Sequence, residues 1–109
     1  MAGKYVLSKQ RGGKFRFNLK ASNGKVILSS QGYKSKDGAM SGIKSVQKNG
    51  KSDKRFERKK AKNGAPYFTL VATNGEVIGT SEMYSSNAAM ENGIRSVIKN
   101  AGSAVQDDS

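Results

Sequence analysis

The sequence predicts one α+β domain built from two tandem strand–strand–strand–helix repeats. Three observations carry this reading. Residues 4–49 recur as 55–100 without a gap, so that Tyr33 returns as Tyr84 and Ala21-Ser22-Asn23-Gly24 as Ala72-Thr73-Asn74-Gly75. Roughly two positions in five are identical, the mark of a tandem supersecondary unit. Each copy holds a stretch alternating polar and apolar residues, followed by apolar residues at helical spacing. At 109 residues folding removes only about two-thirds of the chain's surface from water, so the two halves are expected to pool their apolar faces.

Each repeat opens with a short mixed strand, Lys4–Lys9 and Arg55–Lys60, and a turn at Gly12-Gly13 or Asn63-Gly64. Lys14-Phe15-Arg16-Phe17-Asn18-Leu19-Lys20 then alternates strictly, the period of a half-buried strand. Its copy, Ala65–Val71, carries the single proline at Pro66. A proline lacks a ladder donor, so it belongs at a strand start or edge. Asn23-Gly24 and Asn74-Gly75 suit a two-residue type I′ hairpin, because both central residues need positive φ. That turn sets Ala21 against Val26 and Leu19 against Leu28. Phe17, Leu19, Ala21, Val26 and Leu28 then face the core, as do Phe68, Leu70, Ala72 and Val77.

Beyond Tyr33 and Tyr84 the period becomes helical. Ala39, Met40, Ile43 and Val46 share one face, as do Ala89, Met90, Ile94, Val97 and Ile98. Ser35 and Ser86 suit N-caps, and Asn49-Gly50 and Asn100 with Gly102 suit helix ends. Gly42 and Gly93 sit mid-helix, which costs about 1 kcal/mol against alanine. Close approach of another element is the expected compensation. The domain is thus repeat one at 4–49, a linker at 50–54, repeat two at 55–100 and a polar tail at 101–109, expected to be disordered.

The doubled run of Phe-rich strand, Asn-Gly, Val-Ile, Ser, Tyr-x-Ser and Gly-Ile-x-Ser-Val resembles the YegP-like family of small bacterial proteins over residues 4–100. The resemblance implies a single antiparallel sheet joining both repeats, with swapped helices packed on one face. It also implies a monomer that acts as a built-in pseudo-dimer. It brings no activity, cofactor or catalytic residue.

Composition narrows function by exclusion. The chain has no cysteine and no histidine, which removes thiolate and imidazole chemistry. No acid is matched between repeats, since Asp37 aligns with Ala88 and Glu91 with Met40. A catalytic base, a metal cluster and a phosphate loop all lack candidates, so the expectation is a non-enzymatic protein without metal or cofactor. Met1–Val6 shows no signal-peptide pattern and no stretch reaches membrane-span length. A cytoplasmic protein with no membrane partner is expected.

The net charge is +12, and it is uneven. Residues 1–50 hold eleven Lys/Arg and one acid, whereas residues 51–109 hold nine and seven. Strong basicity favours a polyanionic partner through counterion release. The strand period places Lys14, Arg16, Asn18 and Lys20 on the face opposite the core, with Lys25 and Ile27 from the next strand. The matching positions of repeat two are Ala65, Tyr67, Thr69, Val71, Glu76 and Ile78, so a joined sheet sets a basic strip beside Tyr67, Val71 and Ile78. Cations for phosphate and an aromatic for a base are the means by which open sheets hold single strands. The expected function is therefore low-specificity binding of single-stranded RNA or DNA, with Lys14, Arg16, Lys20 and Lys25 on phosphate and Tyr67 stacking. The alternative is a protein–protein adaptor using Ile27, Val71 and Ile78 as an apolar outer patch. Ser30/Ser81, Tyr33/Tyr84 and Ser35/Ser86, just before each helix, are expected to serve as caps and packing rather than as an anion site.

Overall fold

The computed structural model describes residues 3–108. Repeat one supplies β1 (Lys4–Lys9), β2 (Phe15–Lys20), β3 (Val26–Ser29) and α1 (Lys36–Asn49). Repeat two supplies β4 (Phe56–Lys60), β5 (Pro66–Val71), β6 (Val77–Thr80) and α2 (Asn87–Asn100), and β7 (Val105–Asp107) follows. All seven strands form one sheet in the order β4-β5-β6-β3-β2-β1-β7. Both helices pack on one face and the other face is open.

The repeats meet at β3 and β6, which pair antiparallel through Ser29 and Thr80. These two residues are the same position of the two repeats, so a pseudo-twofold axis passes between them. This is how a symmetric dimer interface is built, here within one chain. Beside the axis, Gly79 takes the position that Leu28 holds in repeat one. A Cβ at Gly79 would sit 2.6 Å from Leu28 Cγ, so the seam has room for one leucine and not two.

The helices are exchanged at their ends. α1 lies over β2 of its own repeat and also on β5 and β6 of the other, and α2 mirrors this on β5, β2 and β3. The end of α2 meets the first strand of repeat one: Gly3 N donates to Asn100 Oδ1 at 3.0 Å and Tyr5 Oη to the Ala101 carbonyl at 2.6 Å. Burial raises the Tyr5 phenol well above its ordinary pKa, which keeps that donor proton in place.

Tyr5, Leu7, Phe17, Leu19, Leu28, Phe68, Leu70, Val46 and Val97 are fully buried between sheet and helices. The mid-helix glycines behave as their position requires. A Cβ at Gly42 would lie 2.8 Å from Tyr33 Cζ and 2.9 Å from Phe17 Cε2; at Gly93 it would lie 2.7 Å from Tyr84 Cζ. Ser35 Oγ and Ser86 Oγ accept from Gly38 N and Ala89 N as N-caps. Ser30 Oγ and Ser81 Oγ accept from Phe17 N and Phe68 N at 2.9 Å. The shared serines therefore satisfy backbone donors. Pro66 opens β5, where its missing donor costs the ladder least.

Three expectations need correction. First, the hairpin loops hold three residues, not two. Gly24 N donates to Ala21 O while Ala21 N donates to Lys25 O, and the same pair of bonds recurs at Ala72. Gly24 and Gly75 alone in these loops have positive φ, at 85° and 86°. This is the three-residue hairpin ending in a left-handed glycine. Asn23 Oδ1 and Asn74 Oδ1 instead accept from the next-but-one backbone N–H. The longer loop sets Val26, not Ile27, against Lys20, and a bulge at Ile27 restores the Leu19–Leu28 pairing. Second, the sheet is mixed. Six strands are antiparallel, but β7 pairs with β1 in parallel. Third, that strand lies in the tail expected to be disordered. Tyr5 N donates to Ala104 O and Asp108 N to Leu7 O, Lys36 pairs with Asp107, and Ala101 and Ser103 are buried. Ser109 lies outside the described residues.

Candidate functional site

The open face of the sheet is the surface that the sequence singles out. Register carries one residue of each strand into a central row: Glu57, Thr69, Thr80, Ser29, Asn18, Val6 and Gln106. Its middle is a run of hydroxyls and one amide centred on the pseudo-twofold axis. Thr69 is buried, and its Oγ1 has no hydrogen-bond partner among the described residues.

Two further rows flank this one. Three antiparallel pairings separate β5 from β2, so these strands run in opposite directions. Tyr67, two positions before Thr69, is therefore level with Lys20, two positions after Asn18. One flanking row holds Lys59, Tyr67, Val26, Lys20 and Lys4, with Lys25 in the loop at the same end. The other holds Val71, Val77, Arg16 and Ser8, with Lys14 beyond Arg16.

Of the five proposed nucleic-acid residues, Lys14, Arg16, Lys20 and Tyr67 face the open side and divide into two groups. Lys25 instead stands opposite core-packed Ala21 across the hairpin and lies on the helix side of the sheet, moved there by the same bulge that turns Ile27 inward. Lys20 shares an end of the sheet with Tyr67, while Lys14 and Arg16 occupy the opposite end. Tyr67 and Lys20 are three strand spacings apart, about 14 Å. Lys14, Arg16 and Lys25 are exposed, and Lys20 and Tyr67 are half-buried. Among the described residues none of the four cations is in an ion pair. Two further cations of the Tyr67 row went unnoticed in the sequence. Lys4 donates to Gln106 Oε1 at 2.9 Å, and Lys59 lies 3.7 Å from the Glu57 carboxylate. Strand alternation over Lys4–Lys9 held the signal for Lys4.

The apolar patch is not where the sequence placed it. Ile27 and Ile78 are 7% and 8% exposed and belong to the core cluster, and Val71 is 8% exposed. The bulge turns each isoleucine inward and gives its outer place to Val26 or Val77. Among the described residues the exposed large apolar side chains are Val77 and Met83, at 42% and 61%. The described residues form no pocket and no group of three or more His, Cys, Asp or Glu that could hold a metal ion. No described helix is long and apolar enough to cross a membrane.

Comparison with known proteins places this architecture. A family model described as a domain of unknown function (DUF1508) matches twice, at residues 11–57 and 61–108. A UPF0339 protein of Shewanella oneidensis is 54% identical over 100 residues, covering 92% of this chain and 91% of the relative. The solution structure of the protein of unknown function yegP from E. coli superposes with a TM-score of 0.93 at 46% identity, covering 99% of this chain and 94% of that one. The chain belongs to the YegP-like, tandem-DUF1508 family of small bacterial proteins. A UPF0339 structure from Shewanella oneidensis matches at a TM-score of 0.92 and 51% identity, over 98% of this chain and 92% of the other. The DUF1508 units are phased differently from the strand–strand–strand–helix repeats. Each begins near a hairpin turn and runs past its helix, into β4 in the first unit and through β7 in the second. The YegP-like unit therefore includes the post-helix segment that was expected to be a loose tail.

Proposed function

We propose that this protein is a non-enzymatic, cytoplasmic module, monomeric in solution, that binds single-stranded nucleic acid with little sequence preference on the open face of its sheet. One observation carries the reading. Lys4, Lys20 and Lys59 lie at the same end of an uncovered sheet face as Tyr67. Phosphates would follow the lysines across the strands and a base would stack on Tyr67, whose π-face accepts any base. Lys14 and Arg16 form a second basic corner that lengthens the path without contacting Tyr67. A protein adaptor would have to use Val77 and Met83, since the isoleucines chosen from the sequence are buried.

Fluorescence anisotropy of labelled oligonucleotides tests this reading. Wild type should bind at low salt, and log affinity should fall against log salt with a slope of about −0.7 per phosphate contacted. Lys4→Glu/Lys20→Glu and Tyr67→Ala should weaken binding more than Lys14→Glu/Arg16→Glu. No binding at low salt removes the proposal. Equal effects from both charge reversals would mean that charge acts diffusely and the Tyr67 row is not the site.

A further inference from the structure

The cations of the open face treat RNA and DNA alike, because both present phosphates. Stacking on Tyr67 is equally indifferent. The central row differs in kind. Asn18, Ser29 and Thr80 lie side by side across β2, β3 and β6. Thr80 is exposed and Asn18 and Ser29 are half-buried. Their side chains make no hydrogen bond within the described residues. Hydroxyl and amide groups both donate and accept, and so does a ribose 2′-hydroxyl. Thr69, in the same row, is too buried to take part. The Tyr67 and Lys20 positions are two residues along the strand from this row, about 7 Å away. A chain with its phosphates on the lysines would bring its sugars over Asn18, Ser29 and Thr80.

We infer that this row reads the ribose 2′-hydroxyl, so that the ligand of the open face is single-stranded RNA in preference to DNA. The inference rests on the nucleic-acid reading above. It adds that the pseudo-twofold seam, where the two repeats join, is the part of the face that chooses between the two polymers.

The test compares labelled RNA, DNA and 2′-O-methyl RNA of one sequence, at low salt, on wild type and on Ser29→Ala/Thr80→Val. RNA should bind wild type about fivefold or more tighter than DNA, the effect of one or two hydrogen bonds. The double variant should lower RNA affinity to that of DNA and leave DNA affinity unchanged, which also shows that it is folded. Blocking the sugar with 2′-O-methyl should remove the preference with no change to the protein. Equal wild-type affinity for RNA and DNA overturns the inference while leaving the proposed function standing. A preference that survives 2′-O-methylation overturns it as well. Failure of wild type to bind either polymer removes both.

Discussion

Replacing Gly42 by alanine sets two opposed effects against each other, and the structure says which wins. Helix propensity alone favours the change by about 1 kcal/mol. The new methyl group, however, would arrive 2.8 Å from Tyr33 Cζ and 2.9 Å from Phe17 Cε2. Carbon pairs attract best at about 3.5–4.0 Å, so both contacts are repulsive. Neither ring can easily yield. Phe17 is fully buried, and Tyr33 lies nearly parallel to it with ring centres 6.1 Å apart. Overpacking of this kind costs about 1–3 kcal/mol, so the net effect is a loss of up to about 2 kcal/mol. For a chain of this length that lowers Tm by up to about 8 °C. Ser41→Ala, on the exposed side of the same helix, should do no harm. Tyr33→Phe removes the ring's leading atom, so the double variant Gly42→Ala/Tyr33→Phe should be less destabilised than the sum of the singles. Thermal unfolding of the four variants measures this. A rise in Tm for Gly42→Ala would refute the packing argument, because propensity would then be unopposed.

Three other outcomes follow from single contacts. Tyr5→Phe leaves the Ala101 carbonyl without its 2.6 Å donor and should cost about 1–3 kcal/mol in chemical denaturation; an unchanged midpoint would mean that the α2 end does not depend on this bond. Thr69→Val removes a buried hydroxyl with no partner and should leave stability equal or raise Tm by a few degrees, whereas a clear fall would mean that the hydroxyl is satisfied. The Arg58 hydrogen bonds hold the Glu91 carboxyl below its ordinary pKa. A depressed carboxylate stabilises above its unfolded pKa and loses that contribution as pH falls through its folded one. Glu91→Gln should therefore be less stable than wild type at pH 7, by under about 1 kcal/mol because the pair is exposed, and the two should converge in acid below the usual carboxylate range. A gap that persists at low pH would assign the effect to packing instead.

Much of the fold was legible because local rules and the repeat agreed. Alternation through Lys14–Lys20 fixed the faces of β2, Ser35 and Ser86 marked the helix starts, and the glycines at Gly42 and Gly93 announced a close approach that the structure contains. The errors have one physical origin each. Asn-Gly suits a type I′ turn and also a three-residue loop ending in a left-handed glycine, and composition does not choose between them. The extra loop residue shifts the register by one near the turn, and such a shift exchanges the two faces of a strand. Ile27, Ile78 and Lys25 went to the wrong face for that reason. β7 is short and polar; its place comes from a distant strand, and no local period encodes that.

The division of the basic residues has a deeper cause. The strand direction of β5 relative to β2 depends on how the repeats meet, and the seam is a single antiparallel pair, Ser29 with Thr80. Antiparallel pairing makes equivalent positions diagonal partners, so Arg16 and its repeat equivalent Tyr67 lie at opposite ends of the face. A parallel seam would have put them side by side, as a linear reading of the repeats assumes. The same operation brings Lys20 level with Tyr67, although these are not equivalent positions. The twofold fold thus converts a charge difference between two halves of the sequence into a face with two unlike corners. The aromatic with lysines stands at one corner and the arginine with valines at the other. Charge reversal at each corner in turn therefore asks a question of the fold as well as of the proposed ligand: only the antiparallel seam makes Lys20, and not Arg16, the residue level with Tyr67.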